Sequence, residues 1–262
     1  MRMAAAQIAC VVGDIDSNLQ TIERFSRQAQ ASDAAMVLFP EMSDTGYAMG
    51  PIRQHATEWK RGAVPAIRNL AKELSLWIVC GVSEREGGVI YNSQVVASAA
   101  GDIAARYRKT HLFTPEPIRE DLCFTPGGDF VSFRADEFKF GLTICYDLRF
   151  PELFRALALS HETSVFLLSS AWPCPRAHHF RSLAVARAIE NQSYLVAANR
   201  VGTDAGVQFC GQSVIIDPTG AILASGSDAD EELLVADLPA EHLNSVRAQM
   251  AVFDHRRRDL YA

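Results

Sequence analysis

A layered α/β fold is predicted for this 262-residue chain by three observations. Short apolar runs alternate with segments whose apolar residues recur at helical spacing, the rhythm of strand, helix, strand units. Two later pairs of strand-like runs are joined by glycine-bearing turns of hairpin type, so part of the sheet is expected to be antiparallel. No internal repeat, low-complexity stretch or linker interrupts the pattern, which predicts a single domain over residues 1–262.

The elements follow in order. Met3 to Cys10 reads as a first strand, and Ser17-Asn18-Leu19-Gln20 has the spacing of a capping box that opens a helix. Leu19, Ile22, Phe25 and Ala29 then share one face before a buried strand, Met36 to Phe39. Pro40 stops that strand and hands over to Glu41. Between Glu58 and Leu74 the residues Val64, Ile67, Leu70 and Leu74 predict a helix, followed by a strand at Trp77 to Val82. After Gly87-Gly88 come two strands, Ile90 to Ala99 and Ile103 to Tyr107, joined across Ala100-Gly101-Asp102. Thr114 to Asp129, rich in Pro and Gly, reads as a long loop of the kind that often carries function.

A strand at Phe138 to Ile144 delivers Cys145, and Pro151 suits the first position of the next helix, which runs to Leu159. A strand at Val165 to Ser169, a loop through Ala171-Trp172-Pro173-Cys174-Pro175-Arg176, a helix at His179 to Glu190 and a strand at Tyr194 to Ala198 make one more unit. Val214 to Asp217 and Ala221 to Ala224 form a hairpin across Pro218-Thr219-Gly220. Leu233 to Leu238 is the last strand, Ala240 to Ala251 a final helix, and the tail ends at Tyr261.

Composition narrows the function classes. Hydrophobic residues make up 48% and charged residues 21%, as in ordinary globular proteins. Thirty-one acidic against 25 basic residues give a net charge of −6, which argues against nucleic acid or an anionic membrane as the main partner. The basic run Arg256-Arg257-Arg258 is shorter than a basic motif. No window approaches the roughly 18 apolar residues of a membrane span. Six widely spaced cysteines without a C-x-x-C pair indicate neither a disulfide framework nor a zinc site. With a start too weakly apolar for a signal peptide, they predict a reducing, cytoplasmic setting.

Functional groups in α/β sheets collect beyond the carboxyl ends of strands. Glu41, Lys109 and Cys145 all stand there. Singly, each has an ordinary structural explanation: a loop charge, a surface lysine, a buried small hydrophobe. Together they are chemically coherent. A carboxylate takes the thiol proton and returns it to a leaving amine, a cysteine forms an acyl intermediate, and an ammonium stabilises an oxyanion. A thiol between a strand end and a helix start is also expected to have a lowered pKa.

Leu38-Phe39-Pro40-Glu41, Tyr107-Arg108-Lys109-Thr110-His111-Leu112-Phe113 and Cys145-Tyr146-Asp147-Leu148-Arg149-Phe150-Pro151-Glu152 resemble the three signature blocks of the nitrilase superfamily of carbon–nitrogen hydrolases. Order and spacing match, 68 residues from Glu41 to Lys109 and 36 from Lys109 to Cys145. Later segments, among them Ala171-Trp172-Pro173 and Ala198-Asn199-Arg200-Val201-Gly202, extend the resemblance over nearly the whole chain. It implies a four-layer α-β-β-α sandwich that pairs through helices into a homodimer or higher homo-oligomer. It also implies Glu41 as general base and acid, Lys109 as oxyanion cation, Cys145 as nucleophile and the Tyr146 N–H as second oxyanion donor. Glu120 is implied as the carboxylate that steadies the lysine, with Glu116 and Asp121 competing for that place.

No cofactor or metal is called for. Adjacent His178 and His179 in a helix point about 100° apart, and their spacing to Cys174 fits no usual zinc set. Amides, nitriles and N-carbamoyl compounds are all possible substrates on the resemblance. The cysteine block, the Ala171-Trp172-Pro173 loop and the short chain are most similar to the omega-amidase and small aliphatic amidase branch, which makes a dicarboxylate monoamide the first expectation. Arg149, Arg176 or Arg119 would grip its far carboxylate, and Tyr47, Trp172 and Phe113 would wall the pocket. An N-carbamoyl or general aliphatic amide or nitrile hydrolase is the alternative, and a non-catalytic binding protein on the same scaffold is a third.

Overall fold

Two six-stranded sheets lie face to face in a computed structural model that describes residues 1–260. In the first, β1 (Arg2–Gln7), β2 (Met36–Leu38) and β3 (Trp77–Glu86) are parallel. The antiparallel strands β4 (Val89–Ala97) and β5 (Ile103–Arg108) extend one side, and the late strand β14 (Glu232–Asp237) closes the other. The second sheet has β7 (Phe138–Ile144), β8 (Val165–Ser170) and β9 (Tyr194–Asn199) in parallel. Antiparallel β6 (Ser132–Ala135) flanks one side, and β12 (Val214–Ile216) and β13 (Ile222–Ser225) the other. A two-stranded ribbon, β10 (Thr203–Asp204) and β11 (Val207–Gln208), stands apart. Tyr261, at the end of the tail, lies outside the described residues.

Side-chain alternation splits each strand of the first sheet between two cores. Met3 and Ala5 of β1, Met36 and Leu38 of β2 and Val79 of β3 face the second sheet, packing in one cluster with Leu142, Ile144, Val165 and Leu167. Ala4, Ala6, Val37, Ile78 and Cys80 face the other way, against Ile22, Phe25 and Ala29 of α1 (Ile15–Ala31) and Val64, Ile67 and Leu70 of α3 (Ala63–Leu74). Strands buried on both faces read as continuous apolar runs, which is why they stand out in the sequence. Beyond the second sheet lie α4 (Pro151–Ser160) and α5 (Ala177–Glu190), where Phe154 meets Phe166 at 5.0 Å between ring centroids. The four-layer α-β-β-α sandwich is thereby complete. The last helix, α6 (Ala240–Gln249), follows β14.

Three local expectations are corrected. The first helix begins earlier than the Ser17 capping box predicts. Asp14 is its cap, accepting from Ser17 N at 3.0 Å, while the Ser17 hydroxyl donates to the same carboxylate at 2.7 Å. Ser17 is thus spent on Asp14 and caps nothing itself. The segment before the second strand pair carries an extra short helix, α2 (Met49–His55), and α3 starts only after Gly62, whose φ of 65° ends any continuous helix from Glu58. The edge strand β6 and the β10–β11 ribbon, too short for a clear period, were not foreseen.

Candidate active site

Each sheet sends part of the site to a common end. Glu41 follows β2 across Phe39-Pro40 and Lys109 follows β5 directly, both from the first sheet, whereas Cys145 follows β7 of the second. All three are buried. Gly81 of β3 makes room for the turn at Glu41: a Cβ there would lie 2.4 Å from the Pro40 carbonyl oxygen and 2.6 Å from Glu41 Cα. Cys145 has φ of 44°, a left-handed conformation rare for a side-chain-bearing residue, as its strand breaks into the 3₁₀ turn Cys145–Arg149. Such strain persists where the surroundings fix it and is frequent at functional sites.

Lys109 Nζ donates to Glu41 Oε1 and to Glu120 Oε1, 2.8 Å each. Asn92 Nδ2 joins the same two oxygens, at 2.7 Å to Glu41 and 3.2 Å to Glu120. The other oxygen of Glu41 accepts from the Ala171 N–H at 2.9 Å, a contact made from the second sheet. Glu120 is further fixed by Tyr47 Oη at 2.6 Å and by Phe113 N at 2.6 Å. Glu116 and Asp121, its competitors in the loop, instead bind Arg119 on the surface, so Glu120 is the carboxylate that meets the lysine and Arg119 is withdrawn from the pocket. Tyr47 is itself held from behind. Its N–H donates to Asp204 Oδ2 at 2.7 Å, and Asp204 forms a buried ion pair with Arg200.

Burial sets the electrostatics. It raises the Glu41 carboxyl pKa, a rise that Lys109 opposes and Glu120 reinforces. Burial alone would strip the Lys109 proton, but Glu120 and Glu41 outweigh it and the net shift is upward. The lysine is therefore a permanent cation. For Cys145 the expectation of a lowered pKa fails. Burial and the Glu41 charge push the thiol well above its ordinary value, and Lys109 offsets only part of this. That direction favours the thiol over the thiolate at Cys145.

A narrow pocket opens over Cys145. Its walls include Tyr47, Phe113, Arg149, Trp172 and Arg176, the residues expected there, together with Tyr146, Ile118, Ala171 and Pro173. The Arg149 guanidinium lies over Trp172 at 4.8 Å and that of Arg176 over Phe113 at 5.2 Å. Neither forms an ion pair with a carboxylate among the described residues, and burial lowers the Arg149 pKa, opposed by Tyr146 and reinforced to a smaller degree by the Arg176 charge. His179 Nδ1 contacts Arg149 Nη2 at 3.2 Å, and His178 packs on His179 at 4.1 Å between rings. A wider groove of about 1130 Å³ beside α4, lined by Arg155, Met250 and His255 among others, touches none of Glu41, Lys109 and Cys145.

Sequence reasoning missed Asp147. Fully buried, it accepts from Ile144 N and Tyr107 Oη through one oxygen, and through the other from Thr110 Oγ1 and His111 N, with His111 Nδ1 at 2.8 Å. It ties the cysteine turn to the segment that carries Lys109. Asn92 and Ser170, also buried at the site, were missed as well. Neither stands in a motif that chemistry alone would single out.

Strand-end glutamate, lysine and cysteine thus meet at one end of a two-sheet sandwich, the fold of a hydrolase of carbon–nitrogen bonds. The chain belongs to the carbon-nitrogen hydrolase family, whose model matches residues 2–248. It is 35% identical to the 2-oxoglutaramate amidase of Bacillus subtilis (strain 168), over 97% of this chain and 98% of that one. It is 32% identical to the N-carbamoylputrescine amidase of Solanum tuberosum, over 99% and 93%. Among solved structures it superposes, with a TM-score of 0.85 and 29% identity over 96% and 98% of the two chains, on a glutamate-to-glutamine mutant of an amidase from Nesterenkonia sp. AN1. That structure shows the result of Michael addition of acrylamide at the active site cysteine. The protein is a hydrolase of small carbon–nitrogen compounds, and among its described residues no helix is long and apolar enough to cross a membrane.

Proposed function

We propose that the chain is one catalytic domain that hydrolyses a small amide bearing a distal carboxylate, through a thioester on Cys145. The observation that carries the chemistry is the Lys109 ammonium. Two of its three protons are committed to Glu41 and Glu120, leaving one donor for an oxyanion. Glu41 Oε1 already accepts two hydrogen bonds and Oε2 one, from Ala171 N, so the lone pair left on Oε2 is the natural proton acceptor.

Cys145 Sγ attacks the carbonyl carbon as its proton passes to Glu41. The oxyanion is held by Lys109 and the Tyr146 N–H, and collapse expels ammonia carrying the proton from Glu41. Water, deprotonated by Glu41, then attacks the thioester; the acid leaves and the thiol is restored. Each oxyanion donor contributes on the order of 10²–10³ in rate and the general base about 10²–10⁴. Glu120 keeps Lys109 charged and in place. The active site cysteine of the Nesterenkonia amidase supports the nucleophile role.

Substrate class rests on Arg149 and Arg176, two pocket cations without carboxylate partners among the described residues, which suit an anionic tail such as that of 2-oxoglutaramate, the compound in the name of the Bacillus relative. A carbamoyl compound carrying an amine, as the Solanum relative's name describes, would meet two like charges. The test is ammonia release from 2-oxoglutaramate, succinamate, butyramide, an N-carbamoyl amino acid and a simple nitrile, with Cys145→Ala as control. Cys145-dependent preference for the first two is expected. Preference for neutral amides would keep the mechanism and overturn the substrate, and equal activity of Cys145→Ala would overturn the mechanism. The working form is proposed to be a homodimer, as the family resemblance implies, in the cytoplasmic setting that the cysteine pattern suggests, and sedimentation velocity would test the assembly.

A further inference from the structure

Ser170 ends β8 in a setting that its stability does not explain. The parallel register pairs Ile144 of β7 with Ser169 of β8, so the next residues along, Cys145 and Ser170, leave their strands side by side. Ser170 is 0% exposed, and its hydroxyl has no hydrogen-bond partner among the described residues. Its neighbours are all occupied: Ser169 Oγ donates to the Phe39 carbonyl, and Ala171 N holds Glu41. A buried hydroxyl left unpaired costs stability, and an alanine of nearly the same shape would avoid that cost. The group is nonetheless near enough to the Cys145 thiol to favour its ionised form.

We propose that Ser170 Oγ–H is the hydrogen-bond donor to the Cys145 sulfur as it becomes a thiolate. The idea rests on Cys145 being the nucleophile. During attack the S–H proton moves to Glu41 Oε2, Ser170 keeps its own proton, and its O–H turns toward the negative charge growing on sulfur. A neutral thiol is a weak acceptor, and the ionised sulfur is a far better one, so the bond strengthens as the charge develops. The same donor would be released when the carbon–sulfur bond forms and re-engaged when the thioester breaks, so Ser170 acts in both halves of the cycle.

The proposal separates cleanly from a packing role. Ser170→Ala should keep or raise Tm, because it deletes an unpaired polar atom. It should lower kcat/KM on the order of ten- to a hundredfold, the range for a hydrogen bond to a charged group, and shift the pH dependence of iodoacetamide alkylation at Cys145 to higher pH. Ser170→Thr, which keeps the hydroxyl, should recover most of the alkylation rate. Unchanged alkylation and turnover in Ser170→Ala, with Cys145→Ala inactive, would overturn the role of Ser170 and leave the nucleophile intact. Full activity of Cys145→Ala would instead remove the reading on which both rest.

Discussion

The phenol of Tyr107 donates a 2.7 Å hydrogen bond to Asp147, joining a residue two positions before Lys109 to one two positions after Cys145. This buried link, with the Asp147 contacts to Ile144 N, Thr110 and His111, holds the segments that carry Lys109 and Cys145 in one frame. Asp147→Ala would leave several buried donors unpaired and should cost about 3–5 kcal/mol of stability. Tyr107→Phe removes one donor to a charged acceptor and should cost about 1.5–3 kcal/mol. Urea unfolding at pH 7 measures both. Equal costs would show that the phenol bond, not the wider set, is what Asp147 provides.

The Tyr47 hydroxyl donates to Glu120 at 2.6 Å, while its ring walls the pocket. Tyr47→Phe should fold normally and lower kcat more than it raises KM, since it loosens the carboxylate that positions Lys109 without removing any pocket wall. Glu120→Gln should cost far more, on the order of 10²-fold or greater in kcat, by depriving the ammonium of half its counter-charge. Steady-state kinetics of the two variants ranks them, and the reverse order would displace Glu120 from its role.

Arg149→Ala and Arg176→Ala are expected to raise KM for a carboxylate-bearing amide about 10- to 100-fold each, while leaving a neutral amide within about threefold. The comparison must use both substrates on each variant. Parallel losses on both would mean that the arginines organise the pocket rather than bind an anion.

Asp44 supplies a pH signature away from the chemistry. Burial pushes its carboxyl up to about 6, against hydrogen bonds from the Ser83 hydroxyl and N–H. A folded-state pKa above the unfolded one means that the folded chain holds the proton more tightly. The resulting stability is fully present below the unfolded value near 3.9 and is lost as pH rises through about 6. At about 1.4 kcal/mol per unit the loss is about 3 kcal/mol. Asp44→Asn should therefore flatten this part of the stability profile between pH 4 and 6.5. An unchanged slope in the variant would assign the effect to another group.

Much of this architecture was legible because doubly buried strands leave long apolar runs and because Glu41, Lys109 and Cys145 each stand at a strand end. The start of α1 was misplaced because Asp14 and Ser17 are both good caps, and only the bonds between them show which one serves the other. The thiol pKa was misjudged for a similar reason. Local chain direction favours a thiolate, but burial and Glu41, 104 residues away in sequence, oppose it more strongly. Asp147, Asn92 and Ser170 stayed hidden because their importance lies in partners brought by other strands. A surface-paired Arg119 was indistinguishable from pocket arginines until Glu116 and Asp121 were seen beside it.

Because Glu41 and Lys109 hang from one sheet and Cys145 from the other, the oily seam between the sheets also serves as the alignment gauge of the reaction. A slip of even a fraction of an ångström along that seam changes the position of the Cys145 sulfur relative to Glu41, and in an enzyme a misplacement of about 1 Å can cost on the order of 10²-fold in rate. Leu142, Leu167 and Val79, all in that seam and none in the pocket, are thus as much part of the instrument as the groups that touch substrate. Enlarging or shrinking them would detune the enzyme well before it unfolds.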